Sequence, residues 1–106
     1  MELQAVYEEL HNTHMCKSAY DFSTDYLGKS KSYYSVLKAS KAVPSIEALS
    51  MLENALSEKA IHYDNRKYEA YNIKRKQLSS LSNTVGAMRN ERCVAKLKAI
   101  DSELLL

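Results

Sequence analysis

The chain has 106 residues, a formal net charge of only +2 and 45% apolar residues, with eight Tyr, two Gly, two Cys, one Pro and no Trp. That length suits one domain with an appended arm, and scarce Gly and Pro beside plentiful Ala, Leu, Lys and Glu point to an all-α fold. No apolar run approaches the roughly 20 residues of a membrane span, and Glu2 stands where a secretory leader carries basic residues, so a cytoplasmic protein with two free thiols is expected.

Leu3, Val6, Tyr7 and Leu10 recur at three- and four-residue spacing, which predicts a first helix over residues 2–13 with Glu2, Glu8 and Glu9 on its other face. His11-Asn12-Thr13-His14 weakens it, because Asn and Thr compete for local backbone hydrogen bonds. Ser18 followed by Asp21 is a capping-box-like start for a second helix. Leu27-Gly28-Lys29-Ser30 then supplies a tight turn, with Gly28 free to take left-handed backbone and Ser30 expected to cap the next helix. Phe22 and Leu27 before the turn, and Tyr34 and Leu37 after it, are spaced to meet in one core. Two short helices so joined form a helix-turn-helix, whose second helix can enter a DNA major groove.

Pro44 disfavours helix before it, and Ser45 caps a helix that turns Ile46, Leu49, Leu52 and Leu56 inward. Neither Pro nor Gly stands between Ser45 and Val85, which allows one long helix, while Ser57 offers the start of a separate one; the predicted division is a helix-turn-helix domain over 1–56 and a helical extension over 57–106. Tyr63, Tyr68, Tyr71, Leu78, Leu81, Val85 and Met88 continue an apolar stripe that becomes coiled-coil-like from Tyr71 and is broken by Arg92. The Ser- and Asn-rich run before Gly86 predicts a hinge near residues 82–86. A last helix should turn Val94, Leu97 and Ile100 inward, with Leu104 to Leu106 docking as an apolar tail.

The run L-G-x-S-x-x-x-Y-x-x-L, followed six residues later by P-S-I-E-A-L, resembles the helix-turn-helix of phage Cro and cI-type repressors, the lambda-repressor-like domains. The resemblance covers residues 18–52, about a third of the chain. It departs from the family pattern at Thr24, where a small Ala lets the two helices approach, at Lys29, where an apolar residue is usual, and at Lys38-Ala39, where Glu-Gly is frequent. It implies a lambda-repressor-like fold and DNA binding. A looser resemblance on Y-D-F-S, L-G-K-S, S-Y-Y-S and P-S-I-E-A-L is to a small uncharacterised bacterial and phage family, and implies no activity.

The charge distribution singles out the same stretch. No acid lies between Asp25 and Glu47, whereas Lys29, Lys31, Lys38 and Lys41 all do. A recognition helix over residues 30–41 would carry lysines to phosphates and put Lys31, Ser32 and Ser35 nearest base edges, so Lys29, Ser30, Lys31, Ser32, Ser35, Lys38 and Lys41 are the candidate DNA-binding residues. The bland alternative is a solvated helical face. No Arg, Asn or Gln stands between Ser30 and Lys41, so bidentate base reading is scarce. Tyr33 is the aromatic nearest this face, while most tyrosines suit the edge of a core. Lys74-Arg75-Lys76 is a second basic cluster, as easily read as a solvated helix face.

His11, His14 and Cys16 lack the paired spacing of a metal site. Gly28-Lys29-Ser30 is no phosphate loop, since Ser23 stands where that motif needs Gly. No catalytic constellation is present, and no enzyme activity, cofactor, metal or small-molecule substrate is expected. The function read from the sequence is sequence-dependent binding of double-stranded DNA by a homodimer, for transcriptional regulation of the phage or mobile-element kind. The rival is an interaction module, an adaptor or inhibitor, that keeps the fold without DNA readout.

Overall fold

Side-chain hydroxyls open three of the helices, two of them from the neighbouring residue and one from the preceding helix. The computed structural model describes residues 3–63 and 69–104, and among them every regular element is helical. Helix α1, Leu3–Asn12, buries Leu3, Val6 and Leu10. It ends as the Thr13 hydroxyl donates to the Glu9 carbonyl at 2.8 Å and His14 takes a positive φ of 62°.

Helix α2, Ala19–Asp21, opens on Ser18, whose hydroxyl accepts from the Asp21 N–H at 3.3 Å. It widens at once into a π-helical turn, Phe22–Tyr26, in which the Leu27 N–H donates to the Phe22 carbonyl at 3.1 Å. Such a turn inserts one residue into the helical register. Gly28 follows at φ 64°, and the Lys29 N–H closes the turn on the Ser23 carbonyl at 2.9 Å.

The inserted residue decides which side chain faces the next helix. Ser23 is fully buried; its hydroxyl donates to the Ala19 carbonyl at 3.0 Å and accepts from the Tyr34 N–H at 3.0 Å. Thr24, the position expected at the close helix approach, faces solvent and bonds the Tyr20 carbonyl of its own turn. Helix α3 is Tyr33–Ser40, starting later than expected. Ser30 is not its cap: residues 30–32 form a turn in which the Ser30 carbonyl accepts from the Tyr33 N–H, and the capping hydroxyl comes from Ser23. Lys41, at φ 55°, ends α3 in left-handed backbone.

Helix α4, Ile46–His62, is capped by Ser45, whose hydroxyl accepts from the Ala48 N–H at 3.1 Å. It buries Ala48, Leu49, Leu52, Leu56 and Ala60, and leaves Ile46 half-buried. It runs straight through Ser57, so the division expected after residue 56 falls inside a helix. Ser57 does not cap anything; its hydroxyl pairs with that of Ser82 at 2.8 Å.

Helix α5, Glu69–Leu104, has 36 residues and is about 54 Å long at 1.5 Å per residue. It therefore sets the longest dimension of the 59 × 27 × 19 Å molecule. The predicted hinge is absent because the small residues near Gly86 serve close packing. Ser82 donates to the Glu53 carbonyl at 3.0 Å, and Arg89 Nε holds the Glu53 carboxylate at 2.8 Å. A Cβ on Gly86 would come within 3.0 Å of that carboxylate. Leu78, Leu81 and Val85 enter the same core as α1, the π-helical turn and α4, so this part of the apolar stripe is satisfied within the chain, while Tyr71 is 39% exposed.

Beyond Met88 the expectation reverses. Val94, Leu97 and Ile100 are 43%, 59% and 45% exposed, because α5 has run past the body it packs on. Tyr68 and the last two leucines lie outside the described residues, and nothing is described of the Leu104 side chain.

Ser23→Ala should strand the Tyr34 N–H and destabilise the protein by about 1–3 kcal/mol. Thr24→Ala should stay within about 0.5 kcal/mol. Urea unfolding of both variants checks the assignment, and equal effects would reject it. Burial also raises the pKa of the Tyr26 phenol, which donates to the Met15 carbonyl at 2.7 Å. The unfolded phenol ionises near about pH 10, so the stabilisation is complete below that pH and is lost as pH rises toward the folded value. Tyr26→Phe should cost about 1 kcal/mol at neutral pH and make the alkaline fall in stability shallower. It should not abolish that fall, since burial raises Tyr7 and Tyr34 too.

Candidate nucleic-acid interface

Aromatic packing fixes the roll of α3 about its axis. Tyr34 packs edge-on against Phe22 with ring centroids 5.0 Å apart, and meets Tyr7 of α1 at the same distance. Tyr33 is pinned at the edge, its hydroxyl accepting from the Ser45 N–H at 3.3 Å. Tyr33 is thus a positioning residue rather than a free stacking surface. Leu37 is only partly buried. The opposite side of the helix carries Ser35, Val36 and Ala39, all exposed, with exposed Ser32 just before them.

The candidate side chains divide into groups. Ser30, Lys31 and Ser32 are exposed in the turn ahead of α3, Ser35 lies on its outward face, and Lys38 and Lys41 are exposed toward and at its end. Two cationic ends therefore flank an uncharged strip about 12 Å long, the rise of an eight-residue helix. Lys29 stands apart. Its ammonium lies 3.4 Å from the Glu47 carboxylate and 5.8 Å from the centre of the Tyr33 ring, so it secures the turn against α4.

Val36 is 61% exposed on this face and is absent from the residues chosen by charge and hydrogen-bonding type. Its place follows from helical spacing: it lies roughly opposite Tyr34 once that residue is taken as buried. A branched methyl pair there can contact a thymine methyl, a chemistry that a search for polar readers overlooks.

The other candidates disperse. Lys74 lies over the Tyr63 ring at 5.3 Å, Arg75 is partly buried and Lys76 is exposed, so the cluster does not present one basic patch. His11 stacks on Tyr7 and lies 3.1 Å from the Cys16 carbonyl. The Cys16 thiol is buried and donates to the Ser18 carbonyl at 3.4 Å, with burial pushing its pKa up. Among the described residues, no three His, Cys, Asp or Glu are grouped to hold a metal ion. None of the described helices is long and apolar enough to cross a membrane.

No curated protein and no solved structure matches the chain. The chain belongs to a family of unknown function (DUF6626), whose profile matches residues 3–98.

Proposed function

We propose, for this member of a family that brings no activity with it, sequence-dependent binding of double-stranded DNA through a Cro/cI-like helix-turn-helix, in transcriptional regulation of the phage or mobile-element kind. Helices α2 and α3 are the two helices of the motif. The observation that carries the reading is the acid-free outward face of α3, exposed along its length and flanked by Lys31 at one end and Lys38 and Lys41 at the other. A B-form major groove is about 12 Å wide and admits one helix, with phosphates on both sides of it. Lysines at the two ends suit those phosphates, and Ser32, Ser35 and Val36 lie between them for the base edges.

A single motif makes a small interface, and proteins of this type commonly bind paired half-sites as dimers. The stripe from Leu78 to Val85 is spent inside the chain, and Val94, Leu97 and Ile100 form an exposed apolar row at helical spacing on the free end of α5 that suits a second copy. Charge order favours an antiparallel pairing there: Arg92, Lys96 and Lys98 come first, then Asp101. Antiparallel helices put the acidic end of one copy beside the basic part of the other, whereas parallel helices align like charges.

Duplex binding should fall steeply with salt, through release of condensed counterions. Lys38→Ala should weaken binding to all sequences alike and lower the salt slope by roughly 1, while Lys31→Ala should also blur preference at one position. Lys29→Ala should matter less, because Glu47 already holds that charge. Unchanged affinity after joint replacement of Lys31, Lys38 and Lys41 would reject the interface. No duplex binding even at low salt would leave the interaction-module reading in its place.

Sedimentation should report a dimer that Leu97→Glu converts to monomer with the helical spectrum intact. A wild-type monomer at high micromolar concentration would overturn the assembly.

A further inference from the structure

A cleft of about 850 Å³ lies between the carboxy-terminal end of α3, the loop to α4 and the part of α5 that leaves the body. This volume is within the usual range of small-ligand sites. Leu37, Val43, Leu49 and Met88 contribute apolar wall. Lys38, Lys41 and Arg92 line the same cleft, with Glu91 as its one carboxylate.

Two of the lining residues carry polar atoms withdrawn from water without a hydrogen-bond partner, the Tyr34 hydroxyl and Arg92 Nε. Buried polar groups are nearly always paired, so an orphan needs an explanation. Both of these groups can donate. Three cations face one carboxylate in the cleft, and an acceptor on a bound ligand would satisfy both donors. The cations that line it state the sign of the missing group, and the apolar wall states the rest of its chemistry.

We propose that the cleft binds an amphipathic organic acid, with an apolar body against Leu37, Val43, Leu49 and Met88 and a carboxylate toward Arg92. The half-buried state of Leu37 then has a cause, since one side of it forms ligand wall. Lys38, one turn after Tyr34 and on its side of α3, and Lys41 line this cleft and also stand at the carboxy-terminal end of the proposed DNA-binding helix. Resting on the DNA reading, one consequence is that a bound acid competes with phosphate for these two lysines and releases DNA.

Decanoate, kept below its micellar concentration, is the probe, titrated calorimetrically into the full chain without DNA. Saturable binding near one per chain is expected. Arg92→Gln should weaken it roughly tenfold, as loss of one charge-assisted hydrogen bond does. Val43→Glu, at an exposed position that folding tolerates, should weaken it at least as much through repulsion of the carboxylate. Lys17→Gln, at an exposed position ahead of α2 that belongs neither to the cleft nor to either proposed interface, should bind as wild type, and decanol should bind more weakly than decanoate. Absence of saturable binding, or binding by either Arg92→Gln or Val43→Glu as tight as that of wild type, overturns the site. Decanoate should also displace duplex DNA from wild type more readily than from Arg92→Gln. The calorimetry involves no DNA, so a failure of DNA binding is told apart from a failure of the cleft.

Discussion

The buried hydroxyl of Ser23 sets the geometry on which the proposed function depends. It donates backward to the Ala19 carbonyl in α2 and accepts forward from the Tyr34 N–H at the start of α3, while its own carbonyl receives the Lys29 N–H. Three bonds from one residue tie the incoming helix, the turn and the outgoing helix together. A hydroxyl can do this because it is both donor and acceptor, and an Ala at the same site could offer neither. Its place in the core is made by the π-helical turn, which moves Thr24 outward. The roll of α3, and so the identity of the residues it presents, follows from that link and from the Tyr34 and Phe22 rings beside it.

The rest of the body is a second constraint of similar kind. Glu53 meets α5 three ways: its carbonyl takes the Ser82 hydroxyl, its carboxylate takes Arg89, and the space of a missing Cβ at Gly86 lies beside it. Small residues on α5 therefore mark close helix approach. That packing draws Leu78, Leu81 and Val85 into the core with α1 and α4. It also fixes where the long helix departs from the body, which creates both the cleft wall at Met88 and Arg92 and the free apolar end at Leu97.

What could be read from sequence was local. Ser18, Gly28 and Ser45 act within a few residues of themselves, and each behaves as its type and neighbours require. Leu49, Leu52 and Leu56 follow a helical period and face inward. The readings that failed depend on partners distant in the chain. Ser30 has the chemistry of a cap, but Ser23 reaches the Tyr34 N–H from the preceding helix. Gly86 after a serine-rich run looks like a break until Glu53 is set opposite it. Val94, Leu97 and Ile100 have the spacing of a buried face, and only the extent of the body shows that they stay exposed. At the candidate interface, exposure brought in Val36 and contact with Glu47 set Lys29 apart; charge and residue type alone had the order reversed.

The composition of α3 also constrains what kind of DNA binder the proposed function describes. A good bidentate contact discriminates against a wrong base by about 1–3 kcal/mol, and it requires Arg, Lys, Asn or Gln at a base edge. Helix α3 has none of these at its outward centre, where Ser35, Val36 and Ala39 stand. Its lysines lie toward the ends, where phosphates are nearer than bases. Most of the binding energy on that reading is electrostatic and only weakly dependent on sequence, and discrimination comes from methyl contacts, from serine hydroxyls and from DNA shape. A regulator with weak intrinsic discrimination gains most from two linked half-sites, since each adds its small preference to the other's. It is also more easily released than one anchored on bases, because an anion that neutralises two of its lysines removes much of what holds it. Lys38 and Lys41, at the join between the α3 face and the cleft, are placed for that exchange.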